Sequence, residues 1–333
     1  MRPTNLKHIR QSPLEQLTRF APYIAGGMIF IISPFFLPVY FHSLITKILI
    51  FAIFAMSLDI IMGYTGLPSL GHAAFLGVAG YTVSILLVLH GIENFWIIAP
   101  LGILMATLAA AILGIIALRV SGIYFLLVTF ALGMLLFSMA LKWYWLTRGS
   151  EGLPMVAYPD LGLPWLTWNY TSFYYFVFIF FVICFFLMYR VVNSPFGHAL
   201  QGIRENETRM RALGYNIWLY KYIAFIIAGL FAGVAGVLFP YYARVMMPYS
   251  VGLTASALVM LMCIIGGLGT LWGPVVGALV IILVEYFSSI YIPDRWPLVL
   301  GGVFVITVMF LRGGIAPHLQ KLWKRVSYGS AKG

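Results

Sequence analysis

Phe173-Tyr-Tyr-Phe-Val-Phe-Ile-Phe-Phe-Val-Ile183 is apolar at every position. In hydrocarbon a backbone has to satisfy its own hydrogen bonds, which leaves only helices and closed barrels as spanning structures. A barrel strand alternates apolar and polar residues over about ten positions, so an unbroken run reads as helix. The run lies inside Leu161–Tyr189, which contains no Asp, Glu, Lys or Arg, and the same holds for Ile60–Ile92, Asn94–Leu118, Val120–Leu141, Tyr222–Ala243 and Val245–Val284. A span takes about 20 apolar residues, so each of these stretches holds one or two. Across the 333 residues 62% are hydrophobic and 9% charged, against about a quarter charged in soluble domains. No polar stretch of comparable length is left over to form a soluble domain.

The expected architecture is an all-α polytopic membrane protein of about ten transmembrane helices, near residues 21–39, 44–62, 72–90, 95–118, 121–141, 171–191, 218–242, 254–272, 274–292 and 296–311. A tail over 1–20 precedes this membrane domain of 21–311, and a tail over 312–333 follows it. With both termini cytoplasmic, the inner side carries Arg2, Lys7, Arg10, Arg19, Arg119, Arg190, Arg204, Arg209, Arg211, Lys221, Arg312, Lys321, Lys324, Arg325 and Lys332. The outer side carries Lys47, Lys142, Arg148, Arg244 and Arg295, a division of 15 against 5. That asymmetry sets the orientation by the positive-inside rule. The net charge of +11 is thus a topology signal and not a nucleic-acid footprint. No A-x-A-like site follows Arg2–Arg19, so an uncleaved start is expected. Cys184 and Cys263 fall mid-span without C-x-x-C spacing and read as inert core thiols.

Two segments interrupt the apolar background. The outer loop, Lys142–Tyr170, sets Trp143, Trp145, Trp165 and Trp168 beside its charges, as in an interfacial aromatic belt. The inner loop, Asn193–Asn216, offers Ser194 as N-cap with Pro195 at the first helical position. Asn206-Glu207 then caps a short helix that Gly214 stops. Met210 and Leu213, three apart, share a face of that helix, and the face needs a cover, either lipid headgroups or a protein groove. Small residues recur at spacing four in Gly229/Gly233, Ala232/Gly236 and Gly273/Gly277, which lets helix backbones approach closely. Gly266-Gly-Leu-Gly-Thr-Leu-Trp-Gly-Pro274 predicts a tight turn or a broken helix.

Chemistry is sparse. No G-x-x-x-x-G-K-[ST] loop and no H-E-x-x-H is present, so neither ATP hydrolysis nor metal catalysis is expected of this chain and no catalytic residue is assigned. Two acids fall within spans, Asp59 near the inner end of its helix and Glu285 about halfway along. Each must face protein or water, as a lining group or as a structural hydrogen-bond partner. After Asp59, Gly63-Tyr-Thr-Gly-Leu-Pro-Ser-Leu-Gly-His-Ala-Ala-Phe75 is rich in glycine and hydroxyls and carries no charge. Non-helical backbone at membrane depth is tolerated where it lines a cavity, so this segment is the candidate solute path. An ordinary inner turn is the plain alternative.

Four stretches together resemble the permease subunits of ATP-driven branched-chain amino acid importers, specifically the LivM branch. They are Ser57–Phe75, Gly122–Thr129, Ser194–Gly214 with Lys221 and Ala232–Gly236, and Gly266–Gly277. The resemblance implies a type II-like importer fold in which the 194–217 loop is the coupling segment that docks on an ATPase, through Gly197, Arg204, Glu205, Asn206, Glu207, Met210, Leu213 and Gly214. It also implies partners: a second homologous permease, two cytoplasmic ATPase subunits that hold the ATP and magnesium, and a periplasmic binding protein, all at a bacterial inner membrane. No cofactor is expected in this chain itself. Asp59, Tyr64, Ser69, His72 and Tyr124 are the expected lining residues. Departures from the family pattern are Met134 where a polar Gln or Glu is common, His198 for Arg, and Met210 for Ala. In Thr147-Arg-Gly-Ser-Glu-Gly152, Arg148 stands in a glycine's place. Met134 favours an apolar side chain on the substrate. Urea, short amides and aromatic acids are the alternative cargoes, and a self-sufficient ion-coupled carrier is the alternative class.

Overall fold

The computed structural model describes residues 38–155, 158–162, 167–291, 293, 295–310 and 313–318. These residues are mostly helical: α1 (Val39–Asp59), α2 (Ala73–Val88), α3 (Phe95–Ala117), α4 (Ile123–Lys142), the single turn α5 (Tyr144–Thr147), α6 (Tyr170–Val192), α7 (Pro195–Glu205), α8 (Glu207–Ala212), α9 (Ile217–Ala243), α10 (Leu253–Gly266), α11 (Gly273–Tyr291) and α12 (Trp296–Phe310). Among the described residues six segments are long and apolar enough to cross a bilayer: Tyr40–Tyr64, Phe95–Ala117, Ile123–Lys142, Tyr170–Val192, Ile217–Ala243 and Gly273–Tyr291. Ala73–Val88, Leu253–Gly266 and Pro297–Thr307 are shorter apolar helices. The chain is therefore an all-α multi-pass membrane protein. The expected first span, 21–39, lies almost wholly outside the described residues, as do the tail over 1–20 and all but 313–318 of the tail over 312–333.

α1 is the hub. Every residue from 48 to 61 is buried, and the helix is enclosed by α6, α9, α10 and α11. A helix apolar all round belongs in such an interior. Lipid tails are as apolar as Leu, so close packing rather than water exclusion draws these helices together. The small-residue stripes supply that closeness. A Cβ on Gly233 would come within 2.8 Å of Ala106 Cβ, and one on Gly236 within 2.9 Å of Leu76 Cα, so α9 seats its glycine face on α3 and α2. At Gly277 an added Cβ would run into the Met262 backbone, which closes α11 against α10.

Two expected boundaries shift by five residues or more. The span placed at 44–62 begins as helix at Val39. The span placed at 254–272 ends as helix at Gly266, because Gly267 and Gly269 take φ of 117° and 73°, left-handed conformations that a continuing helix cannot use. Residues 267–272 are the tight turn that the glycine-rich stretch predicts. The outer loop is more ordered than an aromatic belt. Leu153–Pro154 (β1) pairs antiparallel with Val245–Met246 (β2), the Phe95 N–H donates to the Asp160 carbonyl at 2.8 Å, and Trp168 stacks on Tyr158. Trp143 and Trp145 are exposed; Trp165 lies outside the described residues. Cys184 and Cys263 are free and buried.

Candidate functional site

The inner loop folds as its caps dictate. The Ser194 hydroxyl accepts from the Gly197 N–H at 3.3 Å, with Pro195 in the first turn of α7. Gly197 is there because a Cβ would strike the Val192 backbone, and α7 folds back on the end of α6 at that point. Asn206 ends α7 and caps α8, its side chain accepting from the Arg209 N–H at 2.9 Å. Gly214, with φ 87°, closes α8 in a Schellman arrangement. The Tyr215 N–H donates to the Met210 carbonyl at 3.2 Å and the Gly214 N–H to the Arg211 carbonyl at 3.0 Å.

Met210 and Leu213 do not share an exposed face. Met210 is 9% exposed and belongs to a small cluster with Ala199, Ile203 and Ile217. A Cβ on Gly202 would sit 2.8 Å from its sulfur. Met210 thus fastens α8 to α7, which corrects the expectation that it lies open beside Leu213; Leu213 is 67% exposed, and Glu205, Thr208, Arg209 and Arg211 are exposed as well. Spacing of three puts the two residues on adjacent strips. The tight hinge at Asn206 turns one strip inward. Glu207, half exposed, forms an ion pair of 2.5 Å with the buried Lys221 at the foot of α9.

Arg204 is the pivotal residue of the loop. Its guanidinium donates to the Gly63 carbonyl, and its stem lies over Gly66, where a Cβ would be 3.1 Å from the Arg204 Cγ. Gly63 belongs to a π-helical turn, Ile60–Tyr64, that ends α1; such wide turns gather at functional positions. Asp59, one residue before that turn and fully buried, accepts at Oδ1 from the Gly269 N–H at 2.9 Å. A Cβ on Gly269 would be 3.0 Å from the Arg204 Nη1. The end of α7, the end of α1 and the α10–α11 turn are thus clasped at one point.

Of the expected lining residues, the structure brings Asp59, Tyr64, Ser69 and His72 into the buried end of the bundle where Arg204 meets α1. Tyr124 stands apart, 68% exposed at the start of α4. Residues 65–72 contain no continuous helix and thread between helices, as the glycines and proline predict. Gly71 lies so close to α4 that a Cβ would strike the Thr129 carbonyl. His72 stacks on Phe54, meets Phe75 edge-on and shares a 2.8 Å hydrogen bond with the Ser57 hydroxyl. The Ser256 hydroxyl accepts from the Ala73 N–H at 3.0 Å. Buried polar atoms without a hydrogen-bond partner concentrate here: Asp59 Oδ2, Ser69 Oγ, His72 Nδ1 and Trp272 Nε1.

Four sequence stretches therefore converge: the segment after Asp59 touches α4 at Gly71–Thr129, α7 at Gly63–Arg204 and the α10–α11 turn at Asp59–Gly269. Reading by residue chemistry placed Gly63, Gly71, Gly269 and Ser57 in marked stretches without naming them as site residues, and it missed Ser256. The glycines leave no chemical signal beyond their abundance, because what they contribute is proximity. Among the described residues no group of three or more His, Cys, Asp or Glu could hold a metal ion.

Known proteins resemble this chain in sequence. Residues 40–309 match the family described as branched-chain amino acid transport system / permease component. The chain is 27% identical to the high-affinity branched-chain amino acid transport system permease protein LivM of Escherichia coli K12, over 86% of this chain and 72% of that protein. It is 28% identical to LivM of Salmonella typhimurium, with the same coverage. To LivH of Salmonella typhimurium it is 23% identical, over 78% of this chain and 89% of that protein. No solved structure matches it. The family match covers most of the chain, including all four converging stretches, and on that ground the protein belongs to the permease components of branched-chain amino acid transport systems.

Proposed function

We propose that this chain is the membrane-spanning subunit of an ATP-driven importer in a bacterial inner membrane, with ten spans and both termini cytoplasmic, carrying branched-chain or other hydrophobic amino acids. It pairs with a second, related permease; two relatives of different name, LivM and LivH, both resemble this chain, which supports a distinct partner. Two cytoplasmic ATPase subunits hold the ATP and magnesium, and a periplasmic binding protein delivers the cargo.

The observation that carries the reading is the Arg204 clasp. An ATPase seated on Leu213 and the exposed charges of α7–α8 moves that helix pair. The helix pair pulls on Gly63 through Arg204, and so on the inner ends of α1, α10 and α11. Asp59, Tyr64, Ser69 and His72 lie on the moved segment and change their exposure as it shifts. Tyr124 faces outward from this chain, where the path runs between the two permeases.

The test is leucine uptake into proteoliposomes holding the assembled complex, with binding protein outside and ATP inside. Uptake that requires ATP and binding protein supports the importer. Flux through this chain alone, driven by an ion gradient without ATP, would establish a self-sufficient carrier instead. A binding protein that ignores leucine, isoleucine and valine but takes urea, an amide or an aromatic acid would reassign the cargo.

A further inference from the structure

α4 meets α2 in two different ways. Near the clasp the contact is backbone on backbone: a Cβ on Gly133 would lie 2.9 Å from the Cα of Gly71, just before α2, and one on Gly71 would strike the Thr129 carbonyl. Toward the other end a third segment stands between the two helices. Residues 245–251, which are β2 followed by the 3-10 turn Pro248–Val251, enter from the end of α9 and run along α2. Val251 rests on Gly77, where an added Cβ would strike its side chain, and a Cβ on Gly80 would lie 2.8 Å from the Met246 sulfur. On the opposite side Phe137 of α4 faces the Tyr249 ring, with centroids 6.2 Å apart. Ala140 of α4 joins Tyr81, Leu153, Met246 and Val251 in one buried cluster. Gly77 precedes the last residue of α2, Val88, by eleven positions, so the segment reaches roughly 16 Å in from that end.

The way this segment is held sets it apart from its surroundings. At the same end of the bundle, roughly 18 Å along α1 from Asp59, the Lys47 ammonium meets both carboxylate oxygens of Glu285 on α11, at 2.9 and 3.0 Å. α1 and α11 are thus tied by charge. Residues 245–251 have no such tie: among the described residues their hydrogen bonds run to β1 and within the segment, and none runs to α2 or α4. They rest on the glycine strip of α2 through a valine and a flexible thioether, contacts that can slide without breaking a polar bond. At the back they are fastened. Leu153 pairs with Met246, and the Met155 N–H donates to the Arg244 carbonyl at 2.8 Å. Arg148 and Arg244, with φ of 57° and 61°, stand at the roots of the two paired arms, and strained backbone of this kind gathers at switch regions. The Tyr81 hydroxyl, buried in the cluster under the segment, has no hydrogen-bond partner, which weighs against the seated arrangement. We propose that residues 245–251 are a retractable wedge. Seated, it closes the crevice between α2 and α4. A pull on the exposed Arg148, Ser150 and Glu151 withdraws it through β1, which frees α4 to tilt about its Gly71–Gly133 contact and opens the path. The wedge rests on the proposed function, in which this end lies outside and the path passes α4 between the two permeases.

The test uses the assembled complex in proteoliposomes, carrying Val251→Cys with Cys184 and Cys263 replaced by alanine. An impermeant maleimide added outside reports access to position 251, at rest and during turnover with ATP, binding protein and leucine. Val251 is 3% exposed when seated. Labelling follows the population of the withdrawn form, so its rate should rise about tenfold or more during turnover. Equal rates in the two conditions overturn the proposal. A second variant, Gly77→Cys/Val251→Cys, sets two Cβ atoms 3.0 Å apart, about 0.5 Å short of ordinary disulfide spacing, which a small shift restores. Oxidation should join the pair and stop leucine uptake, and reduction should return it. A segment that never moves leaves uptake equal in the two redox states; that result, or failure of the pair to join at rest, refutes the wedge. Where this double variant does not assemble, the labelling comparison decides alone. Failure of the wild-type complex to import leucine, isoleucine or valine refutes the functional reading instead, which keeps the two failures apart.

Discussion

Replacing Arg204 by Met keeps the length of the side chain and its stem over Gly66 but removes the donor to the Gly63 carbonyl. A hydrogen bond from a charged donor contributes about 1.5–3 kcal/mol, or about 10- to 150-fold in the equilibrium that holds α7 to the end of α1. The same change removes the cation nearest the buried Asp59, whose second oxygen has no partner. α7 itself should survive, since its cap at Ser194, Pro195 and the packing of Ala199 and Ile203 on Met210 do not involve Arg204. The assay is ATP hydrolysis and leucine uptake in the same proteoliposomes, with the ATPase subunits quantified by co-purification. Co-purification should stay within about twofold while uptake per ATP falls to about a tenth or less, at the lower end of that range. Arg204→Lys, a point charge without the planar fork, should recover part of the loss. Combining Arg204→Met with Asp59→Asn should cost less than the sum of the two, because Gly63, the partner of Arg204, and Asp59 both lie at the end of α1 and hold it at one point. If Arg204→Met kept full transport per ATP with the complex intact, or if the two changes simply added, the clasp would not be the mechanical link.

Leu213→Asp should weaken co-purification of the ATPase subunits without altering the helical content of the permease, because that side chain is largely exposed. Met210→Ala should lower thermal stability of the purified permease by about 2 kcal/mol, the lower range for truncating a buried methionine, and equal co-purification and melting for both variants would contradict the division between them. Arg148→Gly should stabilise the protein by about 1 kcal/mol, since Arg148 holds φ 57° where a non-glycine residue costs roughly 1–2 kcal/mol; a lower melting temperature would mean that its side chain contributes more than the strain. Gly236→Leu should abolish accumulation in the membrane, because a side chain there enters the α2 backbone at Leu76, and normal yield would refute the close packing of α9.

Much of this fold can be read from the chain because the bilayer simplifies the code. Unbroken runs such as Phe173–Ile183 have one viable conformation, and the caps at Ser194, Asn206 and Gly214 form local hydrogen bonds that depend on a few adjacent residues. What resists reading is nonlocal. α1 from Ile48 to Met56 and α6 from Phe173 to Met188 are both unbroken apolar runs, yet α1 is enclosed and α6 mostly lies at the periphery. Apolarity is the same toward lipid and toward protein, so periodicity carries no sign of which is which. Met210 reads as exposed because helical spacing is blind to the hinge at Asn206. The clasp joins residues more than 140 positions apart through two backbone groups, the Gly63 carbonyl and the Gly269 N–H, and every residue except proline offers those. The resemblance of the four stretches to the family marked the region, although no single residue in it declares the contact.

The Lys47–Glu285 pair also sets a timetable for biogenesis. The two residues are 238 positions apart in the chain, and at about 5–20 residues per second of synthesis Glu285 emerges roughly 10–50 s after Lys47. For that interval α1 stands in the membrane with an unmatched ammonium, and with a surface that α6, α9, α10 and α11 have yet to enclose. The nascent chain holds its future centre at its edge, with Lys47 turned toward headgroups or the insertion machinery until α11 arrives. Truncations ending before residue 285 should consequently be short-lived in the membrane even though α1, α3, α4, α6 and α9 are each long enough to span it, and a shift to proteolytic resistance is expected once α11 has been made.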